Sequence, residues 1–547
     1  MNQKFVNNFL EKGFLLSPDV IDSLKNIKLI EFSEKIKKIS EGPIIINKDL
    51  FLLINAGEHL VNINWNEFEK SRTFLEKGRD NNMYNVFLDL MNYNISEEKR
   101  AMLNQVLEGV KKPEDIHFDD NGRDSFSSVV VLKMYKENEK KKTVDTFVQH
   151  YRSRYNSLKR ILQNRNELQN VTSINRILGK SDREQVSLIG LIFEKQITKK
   201  GNILITLEDL SGKIRVLINK NRGDIYEIAK DLVLDECVGV SGVMGDRIVF
   251  ANNLFLPDIP HGKQIKKCDE DIYAAFTSDF HVGSVDFLEN DLLKFIKWLN
   301  GEVGSSEQKD ISKKVKYLFV VGDLVDGVGI YPGQEDDLTI KDIYEQYQKC
   351  AEYLSMIRKD IKIIVCAGNH DALRIAEPQP VLSKKYAESI WNLPNVTIVT
   401  SPSLVNIHSS NSFEGFDVLL YHGFSFDYYG DNVDSIRISK PNISERAGLI
   451  IKYLLQKRHL APTHTSTLFV PTEHEDPLVI EKVPDFFVCA HIHKAIVNQY
   501  QNVTNICSSC WQKRTEFQSR VGHVPEVSRV PIINLKTRET RIMKFSD

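Results

Sequence analysis

CAGNHDALRIAEPQP, residues 366–380, follows directly on the apolar run IKIIV (361–365), which reads as a buried strand. The chain therefore leaves its core and at once presents Gly368, Asn369, His370 and Asp371. Glycine and asparagine are good turn formers, so an ordinary surface turn would also account for the stretch. What weakens that reading is repetition. IYAAF runs into Asp279 and His281; KYLFVV into Asp323 and Asp326; VLLY into His422; DFFVCA into His491 and His493. Each pair taken singly is more often structural, but open α/β sheets gather ligands beyond the carboxyl ends of their strands. Five strands that all end this way bring ten polar residues to one crevice.

The residue types then point to the chemistry. Carboxylates, imidazoles and one amide oxygen, with no thiolate, suit Mn²⁺, Fe²⁺ or Zn²⁺ in a reactive site better than a structural zinc. Asp279 and His281 can grip one ion and Asn369, His422 and His491 a second, while Asp323 can bridge them because a carboxylate has two oxygens to share. Two ions roughly 3.5–4 Å apart can bind a phosphate, supply a hydroxide at neutral pH and offset charge on attacking and leaving oxygens. Asp326 and Asp371 read as partners that orient the ligands. Gly322, Gly368 and Gly423 let the backbone turn beside them. Arg374 is a candidate for holding a substrate phosphate, and an ion pair with Glu377 is the competing reading.

The remainder of the 547 residues is ordinary in composition, 41% apolar and 27% charged, and long enough for two to four domains. No apolar run reaches the ~18 residues that span a bilayer. MNQKFVNNFLEKGF at the start lacks the apolar segment of a signal peptide. Seven scattered cysteines form no disulfide framework. A cytoplasmic location with no membrane partner is the expectation. The net charge of −2 is unlike that of a stand-alone nucleic-acid binder, so any action on DNA or RNA would rely on local patches, metal ions or a partner.

Along the chain, FLLSPDVIDSLKNI (14–27) carries a Ser-Pro helix start, and residues 1–65 read as a helical region. Residues 66–143 read as a linker, partly disordered, with Lys140–Lys142 as a solvated face. One long amphipathic helix is expected over 144–170 from Phe147, Tyr151, Leu158 and Leu162. VSLIGLIF, NILITLED, KIRVLIN, CVGVSGVM and DRIVFAN are five short strands with a helix between the third and fourth, the pattern of an OB-fold barrel. The long helix and barrel form one domain over 144–260. Such a barrel can bind single strands or dock a protein, and no aromatic platform flanked by lysines is evident. Residues 261–547 alternate strands with amphipathic helices such as 286–300 and 340–357, an α/β domain. Cys507-x-x-Cys510 lacks a second pair for a zinc knuckle, and His464 and His474 are given no role.

The order D-x-H, G-D-x-x-D, G-N-H-D, H, H-x-H resembles the signature of calcineurin-like metallophosphoesterases, over about residues 272–497. The resemblance implies two mixed β-sheets flanked by helices. It implies one metal held by Asp279, His281, Asp323 and His493 and another by Asp323, Asn369, His422 and His491. His370 would be the histidine that binds no metal and protonates or stabilises the leaving oxygen. Ala490 stands where this family usually has Gly and Ala367 where Pro is common. A narrower resemblance rests on GDLVDGVGIYPGQEDDLTIKDIYEQY, GNHDALRIAEPQP, PLVIEKVPDFF and WQKRTEFQ. These are similar to the small subunits of archaeal family D DNA polymerases, over most of the chain from about 144 onward. That resemblance implies a multidomain α/β chain: helical N-terminal region, OB-fold barrel, then phosphoesterase. It implies a 3′–5′ proofreading exonuclease with two divalent ions, Mn²⁺ first among them. Its implied partners are DNA, a large catalytic subunit and a sliding clamp. The alternatives are a stand-alone phosphoesterase or repair nuclease, which the barrel and near-neutral charge count against, and a mainly structural subunit, which the filled ligand positions count against.

Overall fold

The computed structural model describes residues 128–137, 141–438, 443–520 and 522–546, together with Leu15–Leu16 and Ile45–Ile46, which pair in parallel. Those two short strands stand where a helical region was expected over 1–65; the rest of that region and most of the linker expected after it lie outside the described residues. The chain divides into two compact units, Met1–Asp119 and Asp120–Asp547, and every element labelled below belongs to the second.

The first described element of that unit is a strand where a linker was expected. β1 (Val129–Met134) pairs antiparallel with β11 (Ser403–Ile407), and its Val129 and Val131 pack into the core between two sheets. Its apolar alternation satisfies a sheet edge more than 260 residues away in sequence, a partner that local reading cannot supply. α1 (Val144–Gln163) starts at a capping box in which Thr143 and Thr146 satisfy each other's backbone N–H groups. It ends short of the expected residue 170. Arg165 turns extended, and the short 3₁₀ turn Asn166–Leu168 folds Leu168 back against Ile189 and Cys237 of the barrel.

The barrel is closed, in the order β2 (Gln185–Ile197), β3 (Ile203–Asp209), β4 (Gly212–Ile218), β6 (Ile248–Phe255), β5 (Cys237–Gly245), with α2 (Gly223–Lys230) between β4 and β5. Alternation fills its interior with Ile203, Ile205 and Leu207 from β3 and Ile214, Val216 and Ile218 from β4. The barrel docks on α7 (Ile443–Lys457) through a buried pair, Glu236 with Lys457 at 2.7 Å, and through the Tyr453 hydroxyl, which donates to Asp231 O at 2.8 Å. His464 also belongs to this junction, its Nδ1 2.7 Å from Asp235 Oδ2.

The C-terminal part is a sandwich of two six-stranded mixed sheets. One runs β10 (Val396–Val399), β9 (Lys362–Cys366), β8 (Val315–Val321), β7 (Tyr273–Thr277), β16 (Arg529–Asn534), β17 (Thr540–Lys544). The other runs β14 (Ile496–Tyr500), β15 (Val503–Cys507), β13 (Phe486–Cys489), β12 (Phe416–Leu420), β11, β1. The near-continuous apolar strands sort by alternation. Tyr317, Phe319 and Val321 face the second sheet, while Leu318 and Val320 face α3 (Glu289–Leu299) and α4 (Ile343–Ser355). Phe486 and Val488 likewise face inward, and Phe487 and Cys489 pack beneath α7. β7, β8, β9 and β10 are mutually parallel, as are β12, β13 and β15. Their carboxyl ends therefore open on one edge of the sandwich.

Candidate metal centre

Five strand ends deliver the side chains. Asp279 and His281 follow β7, Asp323 and Asp326 follow β8, Asn369 to Asp371 follow β9, His422 follows β12, and His491 and His493 follow β13. Asp279, His281, Asp323, His491 and His493 all have φ between 49° and 70°, in the left-handed region that non-glycine residues rarely adopt. Strain of this kind costs of the order of 1–3 kcal/mol per residue and collects where function over-determines the backbone. Two glycines make the crowding feasible. A Cβ on Gly322, itself at φ 82°, would overlap the His422 ring, and one on Gly368 would overlap Asp323 Oδ1.

Ligand-type atoms converge in three overlapping groups, each within 4.8 Å: Asp279, His281 and His493; His281, Asp323 and His370; Asp323, His422 and His491. Asn369 joins the last through Oδ1, 3.0 Å from His422 Nε2. Asp323 Oδ2 lies 3.9 Å from His281 Nε2 on one side and 3.3 Å from His422 Nε2 on the other. It occupies the shared position that a bridging carboxylate needs. His281 Nε2 and His493 Nε2 are only 3.3 Å apart, and buried Asp279 Oδ1 makes no hydrogen bond but faces His493 Nε2 at 3.4 Å. A carboxylate oxygen and imidazole nitrogens crowded this closely fit a divalent cation, and the oxygen and nitrogen donor set fits Mn²⁺, Fe²⁺ or Zn²⁺.

Four of the histidines have their other nitrogen committed to an acceptor. His281 Nδ1 donates to Asp326 Oδ1 (3.1 Å), His370 Nδ1 to Asp326 O (2.8 Å), His422 Nδ1 to Val321 O (2.9 Å) and His491 Nε2 to Asp427 Oδ2 (3.1 Å). An acceptor on one nitrogen fixes the tautomer and leaves the other as a lone-pair donor, which is how ligating imidazoles are generally prepared. Asp371 instead braces the turn: Oδ2 accepts from Gly368 N at 2.8 Å and Oδ1 from the Tyr347 hydroxyl at 3.0 Å. Burial, and then Asp323, lift its carboxyl to about 7. Asp323 is held well below the usual carboxylate range: burial opposes this, but His422, His370 and His281 outweigh it. His422 is raised to about 10, since Asp323 overcomes the effect of burial. The cluster has the electrostatics of a cation site in which protons balance the carboxylates.

The model of the calcineurin-like phosphoesterase family matches residues 273–495, and that of the OB-fold nucleic acid binding domain matches residues 186–255. The DNA polymerase II small subunit of Methanothermobacter thermautotrophicus is 40% identical over 391 residues, which cover 72% of this chain and 78% of that protein. The one from Archaeoglobus fulgidus is 38% identical over 74% of this chain and 79% of its own length. This chain belongs to the DNA polymerase II small subunit family. Against a longer member, that of Pyrococcus furiosus, the match is 38% identical and spans 64% of the relative's length.

Within this family frame the two departures noted in the sequence are mild. Neither Ala367 nor Ala490 adopts positive φ, so neither position requires glycine. Arg374 pairs with Glu137 beyond β1, and its Nη2 donates to Pro378 O at 2.8 Å. The expected alternative partner, Glu377, is instead buried beneath the Tyr421 hydroxyl, which donates to it at 3.0 Å, and burial lifts its carboxyl to about 7. Sequence reasoning missed Asp427, the acceptor for His491. Its position in FDYYGDN, on the first turn of α6 (Phe426–Asn432), is where an acidic residue suits a helix start for unrelated reasons.

Proposed function

We propose that this chain is the small subunit of a two-subunit DNA polymerase and that its phosphoesterase domain removes nucleotides from 3′ ends. DNA and a large catalytic subunit are its partners, and a sliding clamp completes the assembly. The single observation that carries the catalytic half is the convergence of Asp279, His281, Asp323, Asn369, His422, His491 and His493 around the shared carboxylate of Asp323. In this reading Asp279, His281, Asp323 and His493 hold one divalent ion, and Asp323, Asn369, His422 and His491 hold the other, with Mn²⁺ favoured. Ions bound there would polarise the phosphodiester and lower the pKa of water. His370, whose Nδ1 is committed to the Asp326 carbonyl, has Nε2 left to take up a proton, and in that cationic form, which burial disfavours, it would pass the proton to the departing 3′-oxygen. Asp326 and Asp371 orient His281 and the 368–372 turn. The net charge of −2 supports a division of labour in which the partner supplies most of the grip on duplex phosphates.

The test is Mn²⁺-dependent digestion of a 3′-mismatched primer by the purified chain, alone and with its large subunit, with Asp323→Ala alongside. Stepwise shortening from the 3′ end that the variant lacks supports the nuclease. Activity only in the complex assigns the site to the assembled enzyme. Metal binding without cleavage in either form refutes it and leaves a structural subunit.

A further inference from the structure

Asp326 is the hub on which two of the proposed functional histidines hang, and two glutamines from distant loops hold that hub. Gln334 lies after β8 and Gln512 after β15, and both are buried. Gln334 Nε2 donates to Asp326 Oδ2 at 2.9 Å and to Asp326 O at 3.0 Å. Gln512 Nε2 donates to Asp326 Oδ1 at 3.0 Å and to Ser284 Oγ at 2.9 Å. The same Oδ1 accepts His281 Nδ1, and the same main-chain oxygen accepts His370 Nδ1. We propose that Gln334 and Gln512 are positioning residues that clamp Asp326 and through it set the tautomer of His281 and the placement of His370. The proposal rests on the metal-centre reading above.

Amides suit this task because of what they lack. A primary amide offers two N–H donors and no charge. It can occupy carboxylate lone pairs without competing with a bound cation, as lysine or arginine would, and without repelling Asp326, as glutamate would. Gln334 is itself held, since its Oε1 accepts from Ile330 N at 2.9 Å and so closes the loop that carries it. With both Asp326 oxygens occupied, the carboxylate cannot rotate away from His281. The imidazole must then carry its proton on Nδ1 and present Nε2 inward. The two glutamines are not equivalent: Gln512 touches only the carboxylate, whereas Gln334 also touches the carbonyl that holds His370.

Gln334→Met and Gln512→Met keep the approximate shape and remove the donors. The experiment uses the full chain with ¹⁵N-labelled histidine. The His281 tautomer is read by NMR in metal-free protein above the imidazole titration range, and Mn²⁺ affinity by calorimetry. The expected result is a single Nδ1–H tautomer in the unaltered chain and a mixture with Nε2–H in both variants. Mn²⁺ affinity should fall about 10-fold in each, the low end for losing an outer partner of a ligand. Primer cleavage at saturating Mn²⁺ should fall in both variants and further in Gln334→Met, because only Gln334 also touches the carbonyl that holds His370. A His281 that remains wholly Nδ1–H in both variants overturns the proposal. An unaltered chain that binds no Mn²⁺ refutes the metal reading, while the tautomer comparison still decides the clamp. If either methionine variant does not fold, Ser284→Ala, which frees only one bond of Gln512, should give a smaller shift toward Nε2–H, and no shift counts against the clamp.

Discussion

Among the described residues, two clusters of buried histidine and aspartate are built to opposite ends. At the junction of α1 with the 459–480 segment, Asp476 Oδ2 accepts from Arg154 Nε at 2.6 Å and from His459 Nε2 at 2.9 Å, while Oδ1 accepts from Leu478 N at 3.0 Å. Arg154 also donates to Pro462 O at 2.6 Å, and His459 Nδ1 accepts from Ala461 N at 3.0 Å. Both carboxylate oxygens are satisfied, and an arginine supplies the positive charge. At the strand ends the same residue types sit on left-handed backbone, and the groups that hold Asp323 low against burial are histidines rather than an arginine. The charge states diverge accordingly. Burial, reinforced by Arg154, drives His459 down to about 4, whereas His422 is lifted to about 10. A fixed guanidinium keeps its histidines neutral. At the strand ends His422 holds a proton against Asp323 instead, and a divalent ion could take that proton's place.

Substitutions can break or sharpen that contrast. Asp323→Ala should abolish both Mn²⁺ binding and primer cleavage, measured by calorimetry and by gel. Residual metal-dependent cleavage would mean that the shared carboxylate is not the centre of the site. His370→Ala should leave Mn²⁺ occupancy largely intact and slow the chemical step ~10²–10⁴-fold in single-turnover assays, the usual scale for lost acid–base help. Metal content that falls in step with activity would make His370 a ligand. Asp476→Ala, which strands the Arg154 charge, should cost about 3–5 kcal/mol of stability in denaturant unfolding, without changing the Mn²⁺ affinity of the folded protein. Asp427→Ala removes the acceptor behind His491. Because that carboxylate is 74% exposed, the loss of Mn²⁺ affinity should be near 10-fold, the low end for such partners.

The smallest effect is a pH slope. His459 titrates near 6.5 when unfolded and near 4 when folded, so its folded pKa is depressed. Its contribution is complete above 6.5 and is lost as pH falls toward 4, because the unfolded chain binds the proton first. The slope should approach about 1.4 kcal/mol per pH unit inside that window. His459→Gln, whose Nε2 keeps the bond to Asp476, should remove that share and leave the part due to His523, also lowered to about 4 by burial, and an unchanged slope would place the proton uptake elsewhere.

Much of this was readable in the sequence for one reason: the candidate ligands sit directly at the ends of apolar strands, so local pattern gave both the strand and its cargo. The barrel was legible for the same reason, five strands broken by turns such as Asp209, whose Oδ1 accepts from Ser211 N at 2.7 Å and Gly212 N at 3.1 Å. What escaped depends on partners far along the chain. β1 pairs across a gap that periodicity does not see, and VVVLKM alone is too short to announce a sheet. Gln334, Gln512 and Asp427 are ordinary polar residues until the fold places Asp326 or His491 beside them. The left-handed backbone at five candidate ligands has no sequence mark at all, since aspartate and histidine carry none of glycine's freedom.

The pairing of β1 with β11 bears on how this protein can be shortened. A chain cut to begin at α1 would retain barrel and sandwich but strip the last strand from one sheet, leaving the backbone groups of Ser403–Ile407 on that side without their ladder. A bare flat edge recruits the same edge of a neighbour. Fragments starting inside 135–143 should therefore associate in solution, and those that keep Ser128 onward should stay single.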